Sequence, residues 1–324
     1  MRIRLFIEHH GTVYDATEIL TDDMQWESSI RGEAGRLHFS VVRDGVINFV
    51  EGDKVQLYTD GELRFAGWVM KKERTDAQII AVTAYDQIFY LAKNRGTYVY
   101  WDKTAIDVIR MIAGEYGLQT GELTDTGWVI PQRIEEGHTL LDMILSALEL
   151  SARATGKEFF FFDKGGRLTV KERKEMQSNG IFRCDGGIAS YTYETDISKD
   201  TYNGVRLYQA GRKETERLTF QKENAQRVKE WGRLYAYRHV PFELNQAQLQ
   251  EIADGILREK CHIRKILVVE NINGDVDVQA GQSIYLEIPD LAEVGIEKSV
   301  LVERCIHIYR DGEHRIRMVI RVEE

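Results

Sequence analysis

A stretch near one end of the chain returns, without a gap, near the other. Leu37 to Thr59 can be laid on Ile266 to Ile288 so that Asp44-Gly45 falls on Asn273-Gly274 and Gly52 on Gly281. The apolar positions Leu37, Phe39, Ile47, Phe49, Val55 and Leu57 then meet Ile266, Val268, Val276, Val278, Ile284 and Leu286. Both the period of two that a half-buried strand requires and the spacing of the turns are preserved. A slip of one residue exchanges the two faces of a strand, so an ungapped match carries a register as well as a composition. After an insertion around Leu291 to Glu297, Phe65 to Ala84 matches Leu301 to Ile320, with Thr75-Asp76 on the turn Asp311-Gly312. The chain is expected to hold two copies of one β-barrel, with Gly45, Gly52, Gly274 and Gly281 at equivalent turns.

The segment between the copies has a different pattern. Thr104 with Asp107, and Thr139 with the run Leu140-Leu141-Asp142-Met143-Ile144-Leu145, open two helices in the manner of a capping box with Asp in place of Glu. Gly114 and Gly117 close the first, Ala154 and Gly156 the second. Lys157 to Lys171, turning at Asp163-Lys164-Gly165-Gly166, reads as a hairpin, and Glu172 to Gly187 as a polar connector. Tyr191 to Thr195 and Val205 to Tyr208 are expected as first strands of the second barrel. Leu249, Ile252, Ala253, Ile256 and Leu257 share a helical face that should pack against it. The expected fold is α+β, mainly β: a first barrel over 1–95, a small α+β domain over 96–187, and a second barrel over 188–324. The last carries an inserted segment at about 211–243 and a packing helix at about 244–262.

Composition narrows the chemistry. A net charge of −9 disfavours a protein that grips nucleic acid, because phosphate binding needs a basic surface. Met1 to Ile7 alternates charged and apolar residues as a strand does, and no apolar run approaches the ~18 residues of a membrane span, so neither a signal peptide nor membrane insertion is expected. Cys184, Cys261 and Cys305 are odd in number and widely spaced, which points to plain thiols rather than zinc or a disulfide framework. No phosphate loop, dinucleotide fingerprint, nucleophile elbow or zinc-protease motif occurs, and no cofactor or catalytic residue is expected. His9-His10 in a strand would face opposite sides. Glu135-Glu136 and the acidic stretch Glu122 to Asp125 are the carboxylates that a glycosidase would need. Of Phe159, Phe160, Phe161 and Phe162, two rings should enter the core and two should face a neighbouring domain or subunit. Trp231, Tyr235 and Tyr237 form a second candidate interface cluster.

Several motifs in order resemble the baseplate hub proteins of contractile phage tails, especially the XkdQ/YqbQ family of PBSX-like prophages and, more distantly, late-control D and myophage hubs. They are Phe65-Ala66-Gly67-Trp68-Val69, Ala84 to Leu91, the paired Thr-x-x-Asp helices, Gly156 to Phe160 with its hairpin, Asp200 to Val205, and Trp231-Gly232. Gln226 to Gly232 departs from a Ser-Ile-x-x-Tyr-Gly-like stretch of that family. The resemblance implies that the barrels are of tail-tube type and that the chain is a homotrimer, giving six barrels around an axis. It also implies the tail tube protein, the spike, other baseplate or LysM-type tail proteins and the tape measure as partners, and a passage from host cytoplasm to baseplate. A peptidoglycan hydrolase using Glu135 or Glu136, and a monomeric carbohydrate-binding module, are the competing readings.

Overall fold

Most of the chain's strands satisfy their backbone groups in a single sheet. The computed structural model describes residues 2–21, 24–30, 32–43, 45–183, 190–210, 217–240, 244–273, 278–294, 297–310 and 312–322. Of the described residues 52% are in strands and 23% in helices, so the fold is mainly β. It divides into two compact units, Met1–Thr192 with Val268–Glu324, and Tyr193–Leu267.

The first unit begins with β1 (Ile3–His9), β2 (Thr12–Asp15), β3 (Met24–Ser29), β4 (Arg36–Val42), β5 (Lys54–Thr59), β6 (Glu62–Arg74) and β7 (Ile79–Tyr85). Alternation does the folding here. Leu5 faces Leu57 and Ile7 faces Val55 across the β1–β5 pair, and Leu37, Phe39 and Val41 of β4 turn to the same core. Each fully buried side chain of this kind contributes about 1.5–3 kcal/mol.

A helical layer follows: α1 (Ile88–Lys93), β8 (Arg95–Thr104), α2 (Ala105–Glu115), β9 (Thr120–Leu123), β10 (Val129–Thr139), α3 (Leu140–Thr155), β11 (Phe159–Asp163), β12 (Leu168–Glu172) and β13 (Gln177–Arg183). Thr104 and Thr139 each close a full capping box with Asp107 and Asp142, and α3 stops at Gly156 in the left-handed region (φ 70°). Three strands here, β8, β9 and β10, carry no clear period in the sequence. β8 and β10 pair as a long two-stranded ribbon, while β9 adds in parallel to the β11–β12 hairpin.

β14 (Ser190–Asp196) leads into the second unit, which contains β15 (Gly204–Ala210), β16 (Arg217–Glu223), α4 (Ala225–Trp231), β17 (Tyr235–His239) and α5 (Gln246–Lys260). Its sheet runs β16-β15-β17. Leu249 and Ala253 of α5 are buried against Val205, Leu207 and Val240. This corrects two expectations. The α5 stripe packs on the unit's own three-stranded sheet, and Val205 to Tyr208 is the centre of that sheet rather than a barrel strand, because Val205 and Leu207 are the apolar residues that α5 covers.

The chain returns through β18 (Arg264–Asn273), then β19 (Ser283–Glu287), β20 (Glu297–Arg310) and β21 (Glu313–Arg321). Within the first unit the order is β18-β21-β20-β3-β4-β7-β6-β5-β1-β2, with β19 also on β20 and β13 on β19. Among the described strands this order is an open path and closes into no barrel. The set β4-β7-β6-β5 nonetheless repeats as β18-β21-β20-β19 in the same sequence of partners, with β21-β20 and β20-β19 antiparallel as β7-β6 and β6-β5 are. β3 joins the sets: Trp26 stands opposite Leu37 on β4 and opposite His307 on β20, with the indole stacked on the imidazole at 4.7 Å.

Candidate functional site

The turn before β5 and the turn before β19 are built from the same hydrogen bonds. Gly52 N donates to Val69 O (2.7 Å) and Val69 N to Asp53 O (2.8 Å); Gly281 N donates to Val302 O (2.8 Å) and Val302 N to Gln282 O (3.0 Å). The side chain of Asp53 accepts from Val50 N as that of Gln282 accepts from Gln279 N. Both glycines sit at positive φ, 93° and 90°, where a Cβ is strained. Gly45 also has positive φ (78°), while Gly274 lies outside the described residues.

The sequence match holds for β5 on β19, since Lys54 pairs with Trp68 as Ser283 pairs with Leu301. It fails in two other strands. Leu267 and Val269 are the buried residues of β18, with Ile266 and Val268 only half-buried, so the match to Leu37 and Phe39 is one residue out of phase. Val69 corresponds to Val302 rather than Cys305, because each precedes a bulge and pairs respectively with Ala84 and Ile320. The extra residues are therefore divided between the loop before β20 and the β20–β21 hairpin.

The carboxylates proposed for hydrolysis do not converge. Glu135 is buried and accepts a 2.7 Å hydrogen bond from Arg133 Nε, whereas Glu136 points to solvent from the other side of β10. Glu122 is held by Lys171, and Asp125 caps Gly127 N. His9 and His10 touch, ring centroids 4.1 Å apart, because His10 enters a left-handed turn (φ 48°), and His9 Nδ1 lies 2.8 Å from Asp53. Among the described residues no group of three or more His, Cys, Asp or Glu is placed to hold a metal ion, and no helix is long and apolar enough to cross a membrane. Cys305 is buried and Cys261 half-buried, and neither is in a disulfide; Cys184 lies outside the described residues.

One pair of acids does meet, and sequence reasoning did not single it out. Asp86 accepts from Gly35 N (2.8 Å) and Ile88 N (2.9 Å). Asp163, in the β11–β12 turn, accepts from Gln87 Nε2 (2.8 Å) and Gly166 N (2.6 Å). Both border a small cavity with Trp26, Phe65 and Phe162. Burial, and then the charge of Asp163, raises Asp86 well above the ordinary carboxylate range, and burial pushes Asp163 up to about 6. The pair pins a turn of the helical layer to the end of β7.

The phenylalanine run has no exposed side. Phe159 and Phe161 join the core under α2 and α3, Phe160 is also buried, and Phe162 is half-buried at the cavity of Asp86. The expected outward rings are covered by the same unit. Exposed apolar surface lies instead on the β8–β10 ribbon, where Ile134 (63% exposed) stands opposite Val99 (47%) with Trp101 (57%) beside them. In the second unit, Trp231 carries the Arg227 guanidinium 4.7 Å from its centroid, Tyr235 carries Arg206 at 4.6 Å, and Tyr237 stacks on Tyr208 at 4.6 Å.

The YQBQ-like family model matches residues 24–321. The phage-like element PBSX protein XkdQ of Bacillus subtilis is 30% identical over 267 residues, covering 82% of this chain and 79% of that protein. The 43 kDa tail protein of prophage MuSo2 from Shewanella oneidensis superposes with a TM-score of 0.69 at 11% identity, over 98% of each chain. A type VI secretion component of E. coli, itself described as similar to bacteriophage T4 tail proteins gp27 and gp5, gives 0.58 at 12% identity, over 100% of this chain and 77% of its own.

Proposed function

The chain belongs to the YQBQ-like family, and from that premise we propose that it is the baseplate hub subunit of a contractile phage-type tail, a structural part without an enzymatic task. The observation that carries the reading is the repeated four-strand set with its shared Gly52 and Gly281 turns. A chain with two such sets can present six of them around an axis as a homotrimer, matching a sixfold tube on one side and a threefold spike on the other. Each set is then one tube-type barrel whose open sheet edges are closed by neighbouring subunits, which removes exposed edges that would otherwise aggregate. The first barrel lies within 1–95, the α+β layer within 96–187 and the second barrel within 188–324. Tube, spike, tape-measure and LysM-type tail proteins are its partners. Three chains at −9 bring −27 to the ring, and carboxylates lining its channel would repel DNA phosphates.

Light scattering on the purified chain, alone and mixed with the tube and spike proteins, tests this. The expected species is three times 37.4 kDa, free or on the partners. A chain that stays monomeric and joins neither partner contradicts it.

A further inference from the structure

The second unit differs in charge from the chain that carries it. Tyr193–Leu267 holds 14 Lys and Arg against 11 Asp and Glu, a net +3, which leaves −12 on the remainder of a chain at −9. Its sheet has one covered face and one open one. Strand alternation turns Val205 and Leu207 toward α5, so Arg206 and Tyr208 of β15 and Tyr235, Tyr237 and His239 of β17 share the opposite face.

Those side chains are already locked together. Tyr208 and Tyr237 lie nearly parallel, 12° apart, and His239 sits 4.8 Å from Tyr208. Arg206 lies over Tyr235 while its Nε donates to Gln221 Oε1 at 3.0 Å. Tyr237 is still 67% exposed. Tyr and Arg dominate the energetic centres of protein interfaces, and side chains that are fixed beforehand lose little freedom on docking.

We infer that this open face binds the acidic body of a second copy of the chain. An aromatic face that carries Arg206 and Glu223, on a unit of net charge +3, meeting a different, acidic surface is a heterologous contact, the kind that builds closed rings. Opposite net charge, +3 against −12, speeds and orients the encounter. The inference rests on the ring reading and gives it one named surface.

Sedimentation of the full chain tests it, using wild type, Tyr237→Ala and the double variant Arg206→Glu with Tyr237→Ala, at low and high NaCl. Tyr237 is exposed enough for its single variant to fold, which circular dichroism checks. The expected result is a wild-type oligomer weakened by salt and a dissociation constant at least about tenfold higher in Tyr237→Ala, higher again in the double variant. Folded variants that assemble like wild type overturn the inference and leave the ring standing. A wild type that is monomeric throughout, alone and with tube and spike proteins, overturns the ring and the inference together. Variants that assemble normally but lose binding of a single-stranded oligonucleotide overturn it in favour of that ligand.

Discussion

Asn203 commits its whole amide to one loop. Fully buried, it donates to Gly232 O (2.7 Å) and Arg227 O (3.1 Å) and accepts from Leu234 N (2.9 Å), which fixes the end of α4 against the start of β15. Asn203→Ala strands three backbone groups and should cost about 2–4 kcal/mol, read as a lower urea midpoint at unchanged slope. Gly67 is as constrained, since a Cβ there would collide with the Tyr85 carbonyl. Both lie in motifs that carried the family resemblance, and their reasons lie in contacts that single-chain reading does not supply. The Asp86–Asp163 pair was hidden for the same cause: two acids far apart in sequence look like solvated turn residues until the fold buries them. Its pH signature follows from sign. Asp163 titrates near 6 in the fold, above its ordinary 3.8, so the native state holds more protons between those values. The stability it contributes is present below about pH 4 and lost as pH rises through about 6, on the order of 1–3 kcal/mol. Asp163→Asn should flatten that part of the profile. Parallel urea midpoints for wild type and variant from pH 4 to 8 would contradict the assignment.

Elements were legible where they had a period and a punctuation mark. The helices α2 and α3 were announced by Thr104 and Thr139, and Thr139→Ala should cost about 1 kcal/mol through the lost cap, visible as a lower melting temperature. Turns with glycine were equally clear. β18 was misread by one residue because Ile266-Leu267-Val268-Val269 is apolar throughout and contains no alternation to choose a face. The β8–β10 ribbon was missed because aromatic and apolar residues lie on both of its faces, Tyr100 inside and Trp101 outside, while Pro131 and Glu135-Glu136 break the pattern of β10. The repeated turn allows an internal comparison. Gly52→Ala and Gly281→Ala both incur the strain of positive φ, about 1–2 kcal/mol, but only Gly281 is packed, its Cβ position 3.0 Å from Met176 Cε and 3.2 Å from Ile30 Cγ2. Gly281→Ala should therefore lower the urea midpoint more, by a further ~1 kcal/mol or above. Equal losses would show that the two turns are also equivalent in packing.

At the scale of the molecule, the sequence repeat reported that two similar sets exist and could not report how they are joined. The joint is β3, which is not part of the repeated strands and which places Trp26 between Leu37 and His307. Nothing in Met24–Ser29 distinguishes a strand that bridges two sets from one that ends a single set, because strand patterning records which face is buried and not which neighbour is paired. The number of chains is likewise not written in the strand pattern, and three belongs to the proposal. The most direct measurement is a cryo-EM reconstruction of tail tips that contain this chain, refined with threefold symmetry. The account predicts three copies on the axis between tube and spike, with β4 to β7 and β18 to β21 of each chain superposing as six successive sectors around the channel. Copies lying off the axis, or β18 to β21 lying outside the ring, would contradict it.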